Sequence, residues 1–586
     1  MIPISELIKT TAALQKSGRF DDAVNLYQRW LKQGDLAYRY IIYYNLGSLL
    51  QQRSRPYDAI EAYKSCLIDH PLFGMAVINL GLCFEQTEQY EDALLTWRQL
   101  SDQPLPQLIE DKQLYLAVLN HQARLLEDLN RLEEANAALE RSLQIDSSQT
   151  DVLHHWVHVQ QKTCNWPVYR KFMGIPTNRM LLATSPLPML ALVDDPPTLL
   201  LNAREFVRRK WGFSQSKGSF VKPIKKSRIK IGYVSGDFCT HAVGLLMPDF
   251  LRLHDRENFE VFAYDYSPED GSATRQRLKE TFDCFRSIKE VDDTEAAQKI
   301  VADGIDVLID MHGLSSGARP GIFSLRPAVL QGTYLGFIGT TGMPWLDFLV
   351  ADRYTIPDDE QIYYTEEILY VEPCFLPLAL NRPANNMIVT RSSCHLPEQS
   401  IVMAAFGNIY KTTEPMLQNW IHILKEVPNS VLWLLDDNPV ASSRLKLLFS
   451  REGVDPIRII FTPRVAYAQY LARLSLADLF LDTYPYNCGS TTRDVVSAGV
   501  PIITRSGRTM VSRMTGSVLK SVGLEMLVAR SDDHYRQLAV QLATDGPVRD
   551  AVRRHLMEVR NISTLLLQQL VSSFESGIRV RLERFS

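Results

Sequence analysis

Two hydrophobic patterns divide the chain. Over the first ~160 residues apolar and polar positions follow helical spacing. From Lys230 onward, short apolar runs close on turn residues: "IKIGYVSGDF", "FEVFAYDYSPEDG", "GIDVLIDMHGLSSG" and "AVLQGTYLGFIGTTG". Helical stretches such as "DTEAAQKIVADG" lie between several of them. Strands alternating with helices imply right-handed crossovers and a parallel sheet. The pattern restarts at "SIVMAAFGNIYK" and continues through "SVLWLLDD", "RIIFTPRV", "ADLFLDTYPY" and "VPIITRSG". Two doubly wound α/β halves are therefore expected, closed by a last helix, "STLLLQQLVSSFESGIRVRL".

The helical part repeats. "YNLGSLLQQRSRPYDAIEAYKSCLIDHP" realigns with "INLGLCFEQTEQYEDALLTWRQLSDQP". Asn45-Leu46-Gly47 recurs as Asn79-Leu80-Gly81 and Asp58-Ala59 as Asp92-Ala93, both at a shift of 34, and Tyr63 recurs as Trp97. That period, with small residues at fixed offsets and a closing proline, is the tetratricopeptide signature. Weaker copies flank it, giving about four repeats. The expected divisions are repeats over 1–160, a linker over 161–227, a first α/β lobe over 228–385 and a second over 386–586. The basic, Gly/Ser/Pro-bearing stretch "SQSKGSFVKPIKKSRIK" marks the linker's end.

Composition narrows the partners. At 586 residues the chain exceeds a single core. A net charge of −4 and no long basic block argue against nucleic-acid binding. Eight scattered cysteines, with no Cys-x-x-Cys pair, fit a reducing, cytoplasmic setting rather than a disulfide scaffold or structural zinc. No basic-then-apolar leader and no membrane-length apolar run are seen. His154, His155 and His158 cluster on one helix, but no carboxylate or Cys completes a ligand set, so they read as helix-surface or packing histidines.

Ligands of open parallel sheets sit off the C-terminal strand ends. Four polar loops follow predicted strands: "SGDFCTHAVG", "DMHGLSSG", "GNIYKTTEP" and "YNCGSTTRD". In the last, Gly489 is expected to permit a backbone course that a side chain would obstruct. Ser490, Thr491 and Thr492 offer hydroxyls beside free helix-terminal N–H groups, a cradle for phosphate oxygens. Asp494, one turn in, could accept from ribose hydroxyls. Simple N-capping by Ser or Thr accounts for the segment equally well. Lys411 could neutralise a diphosphate leaving group, or be a solvated loop lysine. His241 could orient or deprotonate an acceptor hydroxyl, or be structural.

The stretches "IGYVSGDFCTHAVGLLMPDFL", "GARPGIFSLRPAVLQGTYLGFIGTTGMPWLDF", "FGNIYKTTEPMLQNWIHILKEVPNSVLWLL" and "YLARLSLADLFLDTYPYNCGSTTRDVVSAGVP" resemble the O-linked N-acetylglucosamine transferases and SPINDLY-like proteins, glycosyltransferase family 41. Repeats, a linker carrying "CNW" and two α/β lobes are also that family's order. The resemblance covers essentially the whole chain and suggests a bacterial-type member. It implies a helical repeat region followed by a GT-B fold with the nucleotide sugar between the lobes. It implies that Lys411 meets the diphosphate, with Asn408 beside it. Ser490 and Thr491 match a Thr-Thr pair that donates to phosphate, and Thr492 extends it. Asp494 matches a ribose-binding aspartate, Arg473 an arginine near the base, and Tyr470 a position packing on the base. His241 matches an active-site histidine, and His312 is expected to line the acceptor side. Lysine and helix-end donors would replace a metal, so no cofactor is expected. The partners expected are a nucleotide sugar, most simply UDP-N-acetylglucosamine, and protein or peptide acceptors in the repeat groove, with a homodimer as an open arrangement. Two departures stand out: many relatives carry His where this chain has Tyr470, and those active with N-acetylglucosamine usually carry His where it has Gly489. SPINDLY-like fucosyltransferases, which use a GDP sugar, also lack the second His. The implied activity is inverting transfer of N-acetylglucosamine to Ser/Thr, with GDP-fucose or UDP-glucose as alternative donors and a degenerate repeat scaffold as the non-enzymatic alternative.

Overall fold

A computed structural model describes residues 2–33, 35–104, 109–212, 227–380 and 387–585. Most of the basic stretch expected at the linker's end, and the expected junction between the lobes at 385/386, lie outside the described residues. The chain forms two compact units, residues 1–159 with 171–176, and residues 160–170 with 177–586.

Among the described residues the first unit holds four helix pairs: Ile4–Lys16 with Phe20–Gln33, Arg39–Gln52 with Pro56–Asp69, Gly74–Gln86 with Tyr90–Ser101, and Ile109–Asp128 with Leu132–Ile145. The repeated small residues sit where aromatic rings cross the helix. A Cβ on Gly47 would lie 2.7 Å from the Tyr63 ring, and one on Gly81 only 2.1 Å from the Trp97 indole nitrogen. Tyr63 and Trp97 are fully buried. Glycine is used here for close approach, not for a turn. A carboxylate does reach the histidine cluster: His155 Nδ1 lies 2.9 Å from Glu127. Even so, no three His, Cys, Asp or Glu side chains among the described residues are grouped to hold a metal ion.

The second unit carries two all-parallel sheets. The first comprises β1 (Ile229–Ser235), β2 (Phe259–Asp265), β3 (Cys284–Ser287), β4 (Val307–Asp310), β5 (Leu330–Thr333), β6 (Phe348–Ala351) and β7 (Glu367–Tyr370), in the order β3-β2-β1-β4-β5-β6-β7. The second comprises β8 (Ile401–Ala405), β9 (Ser430–Leu435), β10 (Ile459–Thr462), β11 (Leu479–Leu481), β12 (Ile502–Arg505) and β13 (Val528–Ala529), in the order β10-β9-β8-β11-β12-β13. Central strands are apolar on both faces because helices cover both; β4 and β11 are buried throughout. In register, Ala404 sits between Trp433 of β9 and Phe480 of β11.

Each order reverses once, between β1 and β4 and between β8 and β11. At such a switch point the crossovers diverge to opposite faces and leave a crevice off the strand ends. The four polar loops singled out in the sequence follow these four strands.

The last helix, Ser563–Glu583, belongs by sequence to the second lobe but returns to pack on the first. Phe574 meets the rings of Phe250 and Tyr334 at 5.6 and 6.2 Å. Glu575 accepts from the Asp255 amide at 2.9 Å and lies 2.8 Å from His254 Nδ1, whose Nε2 is 2.9 Å from the Tyr233 hydroxyl. Burial lowers the His254 pKa, with Glu575 opposing it.

Candidate functional site

The strand-end loops of the two sheets line one cleft of about 940 Å³. On the β8 side, Gly407 and Asn408 lead into a single 3₁₀ turn, Ile409–Lys411, and then a helix, Glu414–Glu426, whose first turn carries Pro415 and whose N-cap, Thr413, accepts from the Met416 amide. This fixes Lys411 between strand and helix. Its ammonium lies 3.7 Å over the Tyr486 ring and 3.5 Å from the Asn487 carbonyl. No carboxylate stands within ion-pair distance among the described residues. Burial lowers the Lys411 pKa, against the weaker pull of Cys488 and Asp482. The lysine is therefore a poorly solvated cation, stabilised by a ring face and a carbonyl, with room for an anion before it.

The loop after β11 is braced from below. Buried Asp482 accepts from the amides of Thr483 and Cys488 at 2.8 and 2.7 Å and from the Thr504 hydroxyl at 2.7 Å. The helix Ser490–Ala498 then begins at the cleft, and Ser490 and Thr491 line it. Its N-cap is Gly489, and no side chain caps it. The capping alternative is thus not realised. The amides of Ser490 and Thr491 find no acceptor among the described residues and, with the helix dipole, face the same space as Lys411.

The expected reason for Gly489 is corrected. Its φ is −91°, and a Cβ there would meet nothing closer than the Met514 sulfur at 3.8 Å. A side chain would have room there, so crowding does not account for the glycine, although its φ −91°, ψ −98° pair lies outside the main regions that other residues populate. Thr492 points away from the cleft: its hydroxyl donates to the Cys488 carbonyl at 2.5 Å and lies 2.8 Å from the Thr515 hydroxyl.

Asp494 lines the cleft and is buried, accepting from the Tyr467 hydroxyl and from Arg493 Nη2, each at 3.0 Å. Arg493 also donates to the Leu245 carbonyl of the first lobe at 2.6 Å. Tyr470 stacks with Tyr467 at 5.9 Å, and burial pushes its phenol pKa well up. Arg473 lines the wall, tied by Nη1 to the Thr462 hydroxyl and Pro463 carbonyl at 3.0 Å each. Asn408 accepts from Arg464, which in turn bonds Asp437.

On the opposite wall, His241 caps the helix Ala242–Arg252, its Nδ1 accepting from the Val243 amide at 3.4 Å. His312 is buried behind the wall rather than lining it. Its Nε2 accepts from the Gly236 amide at 2.9 Å, its Nδ1 lies 3.1 Å from the Ser315 hydroxyl, and Tyr266 stacks on it at 5.5 Å.

Sequence reasoning passes over Asp237, Tyr467, Arg493 and Asp194. Asp237 stands in a quoted loop, so its position after β1 was the available signal. Asp194 had none. From the linker it accepts from the Tyr484 hydroxyl at 2.7 Å, from the amides of Arg508 and Thr509, and from the Thr509 and Ser512 hydroxyls. Burial pushes its pKa up, but these bonds outweigh it and hold the carboxyl below its usual range.

Two parallel, doubly wound sheets sharing a cleft at their switch points define the GT-B class of fold. A solved structure, a mutant of Thermobaculum terrenum O-GlcNAc transferase, superposes with a TM-score of 0.67 at 23% identity, covering 94% of this chain and 98% of that one. Glycosyl transferase family 41 matches residues 207–377 and 379–573, and tetratricopeptide repeats match 44–103 and 116–149. The chain belongs to glycosyl transferase family 41. It is 34% identical over 348 residues to the Arabidopsis thaliana probable UDP-N-acetylglucosamine–peptide N-acetylglucosaminyltransferase SEC, covering 58% of this chain and 36% of that protein. It is 27% identical over 477 residues to the Caenorhabditis elegans UDP-N-acetylglucosamine–peptide N-acetylglucosaminyltransferase, covering 60% and 41%. An Arabidopsis SPINDLY protein is 30% identical over 339 residues, covering 56% and 37%. The chain thus spans about two fifths of the length of these curated relatives.

Proposed function

We propose that the chain is an inverting protein O-glycosyltransferase, moving N-acetylglucosamine from UDP-N-acetylglucosamine to Ser/Thr hydroxyls of polypeptides. The observation that carries this reading is the pairing of Lys411, a cation with no carboxylate partner among the described residues, with the uncapped helix start at Ser490–Thr491 across one cleft. Together they offer one positive charge and several aligned dipoles to a diphosphate. They act most strongly as the leaving nucleotide gains charge in the transition state. Asp494, held by Tyr467 and Arg493, is placed to receive ribose hydroxyls; Tyr470, Arg473 and Asn408 surround the rest of the nucleotide. His241 and His312 stand on the acceptor side. This arrangement supplies the charge a metal ion would otherwise bring. The repeat unit supplies the kind of stacked-helix surface on which polypeptide acceptors bind. All eight cysteines are free thiols, most of them buried, which supports a reducing, cytoplasmic setting.

A second reading keeps the chemistry and changes the donor to GDP-fucose or UDP-glucose. It is favoured by one observation: the open space at Gly489, where a larger side chain would narrow the sugar site. Isothermal titration with UDP and GDP separates the two. UDP binding with modification of Ser/Thr peptides, read by mass spectrometry, supports the first; GDP binding without UDP binding defeats it. A degenerate scaffold would bind neither nucleotide.

A further inference from the structure

The acceptor-side wall holds a carboxylate that nothing above uses. Asp237 follows β1 directly and lines the cleft, with Ser315 and His241 beside it and Lys411, Ser490 and Thr491 on the other wall. Its Oδ2 lies 3.2 Å from His241 Nδ1 and 3.4 Å from His312 Nε2. Neither arginine nor lysine pairs with it among the described residues. We propose that Asp237 is the general base that takes the proton from the acceptor hydroxyl, a reading that rests on the transferase function above.

The lone pairs around Asp237 are already directed. His241 Nδ1 accepts the Val243 amide, and His312 Nε2 accepts the Gly236 amide. In each neutral ring the nitrogen nearest Asp237 is therefore the one without hydrogen, and the ring proton sits on the far nitrogen, Nδ1 of His312 pointing toward Ser315. Three consequences follow. His241 is less suited than Asp237 to meet the hydroxyl first, because its Nδ1 lone pair is shared with the Val243 amide and faces Asp237, and its remaining nitrogen carries the proton. Asp237 receives no hydrogen bond from either ring, so its oxygen is open to an incoming hydroxyl. Once protonated, Asp237 finds an acceptor lone pair at 3.2 or 3.4 Å. A carboxylate oxygen facing the cleft, with ring nitrogens behind it, has the geometry a general base needs to meet the acceptor hydroxyl.

The step balances. The acceptor hydroxyl oxygen bonds to the anomeric carbon as the bond from that carbon to the diphosphate oxygen breaks. The electron pair leaves with the nucleoside diphosphate, facing Lys411 and the helix start. The hydroxyl proton goes to Asp237 Oδ2 and then, through His241, whose side chain is half exposed, to solvent.

The test uses the full chain, UDP-N-acetylglucosamine and a Ser-containing peptide. Asp237→Asn is expected to lower kcat for peptide transfer about 10²–10⁴-fold, while the Kd for UDP stays within threefold. Sodium azide, a nucleophile with no proton to lose, is expected to restore turnover to glycosyl azide. Asp237→Glu, which keeps the carboxylate one methylene away, retains more transfer than Asp237→Asn and reports on the base even if the amide variant folds poorly. Transfer by Asp237→Asn within threefold of wild type overturns the proposal, and so does azide failing to rescue a variant that still binds UDP. Wild-type chain that binds UDP but transfers only another sugar defeats the donor assignment and leaves the same comparison to be read with that sugar. Wild-type chain that binds no nucleotide takes both readings down together.

Discussion

At the scale of residues, the site turns on Lys411 being a cation short of solvent. Lys411→Ala is expected to cost about 3 kcal/mol of transition-state stabilisation, a factor of roughly 10²–10³ in kcat, as for loss of one preorganised donor. The measurement is steady-state transfer to a Ser peptide. A pH effect accompanies it. In the free protein burial lowers the lysine's pKa; a bound diphosphate restores it. Between the lowered value and the ordinary 10.5, binding takes up a proton, so the affinity for UDP falls as pH rises through that window. Titration calorimetry across alkaline pH should show that fall in wild type and its absence in Lys411→Ala. Gly489 makes the opposite prediction. Since a Cβ meets nothing within 3.8 Å, Gly489→Ala should leave thermal stability unchanged within about 0.5 kcal/mol, and only activity should report the altered sugar site.

At the scale of elements, two tests separate packing from propensity. Alanine is favoured over glycine inside a helix by about 1 kcal/mol. At Gly81 that gain meets a buried indole 2.1 Å from the new methyl, and overpacking typically costs about 1–3 kcal/mol. Gly81→Ala should therefore lower the melting temperature of the repeat unit, read by circular dichroism, despite its better propensity. In the other unit, Glu575→Ala strips the partner from buried His254 and from the Asp255 amide. The expected cost is about 2–3 kcal/mol, seen as a lower unfolding midpoint. His254 adds a sign. Its folded pKa is lowered, so below about 6.5 the unfolded chain binds more protons, and stability falls as pH drops through that window.

The same scale shows what could be read in advance. The repeats were legible because Asn45, Gly47, Asp58 and Tyr63 recur together at one spacing. Nine strands were legible as apolar runs ended by turn residues. β3, β6, β7 and β13 were not: β3, at the sheet edge, carries Arg286 and Ser287 exposed and so shows no apolar run, and β13 is only two residues long. The path of Ser563–Glu583 was not legible either, because an amphipathic face names no partner. In the site, Lys411, Ser490, Thr491 and Asp494 could be placed from strand–loop–helix order. Asp194 and the tautomers around Asp237 could not, because both depend on which backbone amides tertiary structure brings near.

At the scale of the whole molecule, the chain carries a repeat unit with four helix pairs among the described residues and a two-sheet unit, each with its own core. Both sheets reverse strand order at the strands that carry the site, which is why four loops distant in sequence can meet one nucleotide. The most direct test is a crystal structure of the full chain with UDP. The account predicts the diphosphate in the cleft, within hydrogen-bond reach of Lys411 Nζ and the amides of Ser490 and Thr491, with the ribose at Asp494. UDP bound elsewhere at saturating concentration, or a cleft filled by side chains, would contradict it.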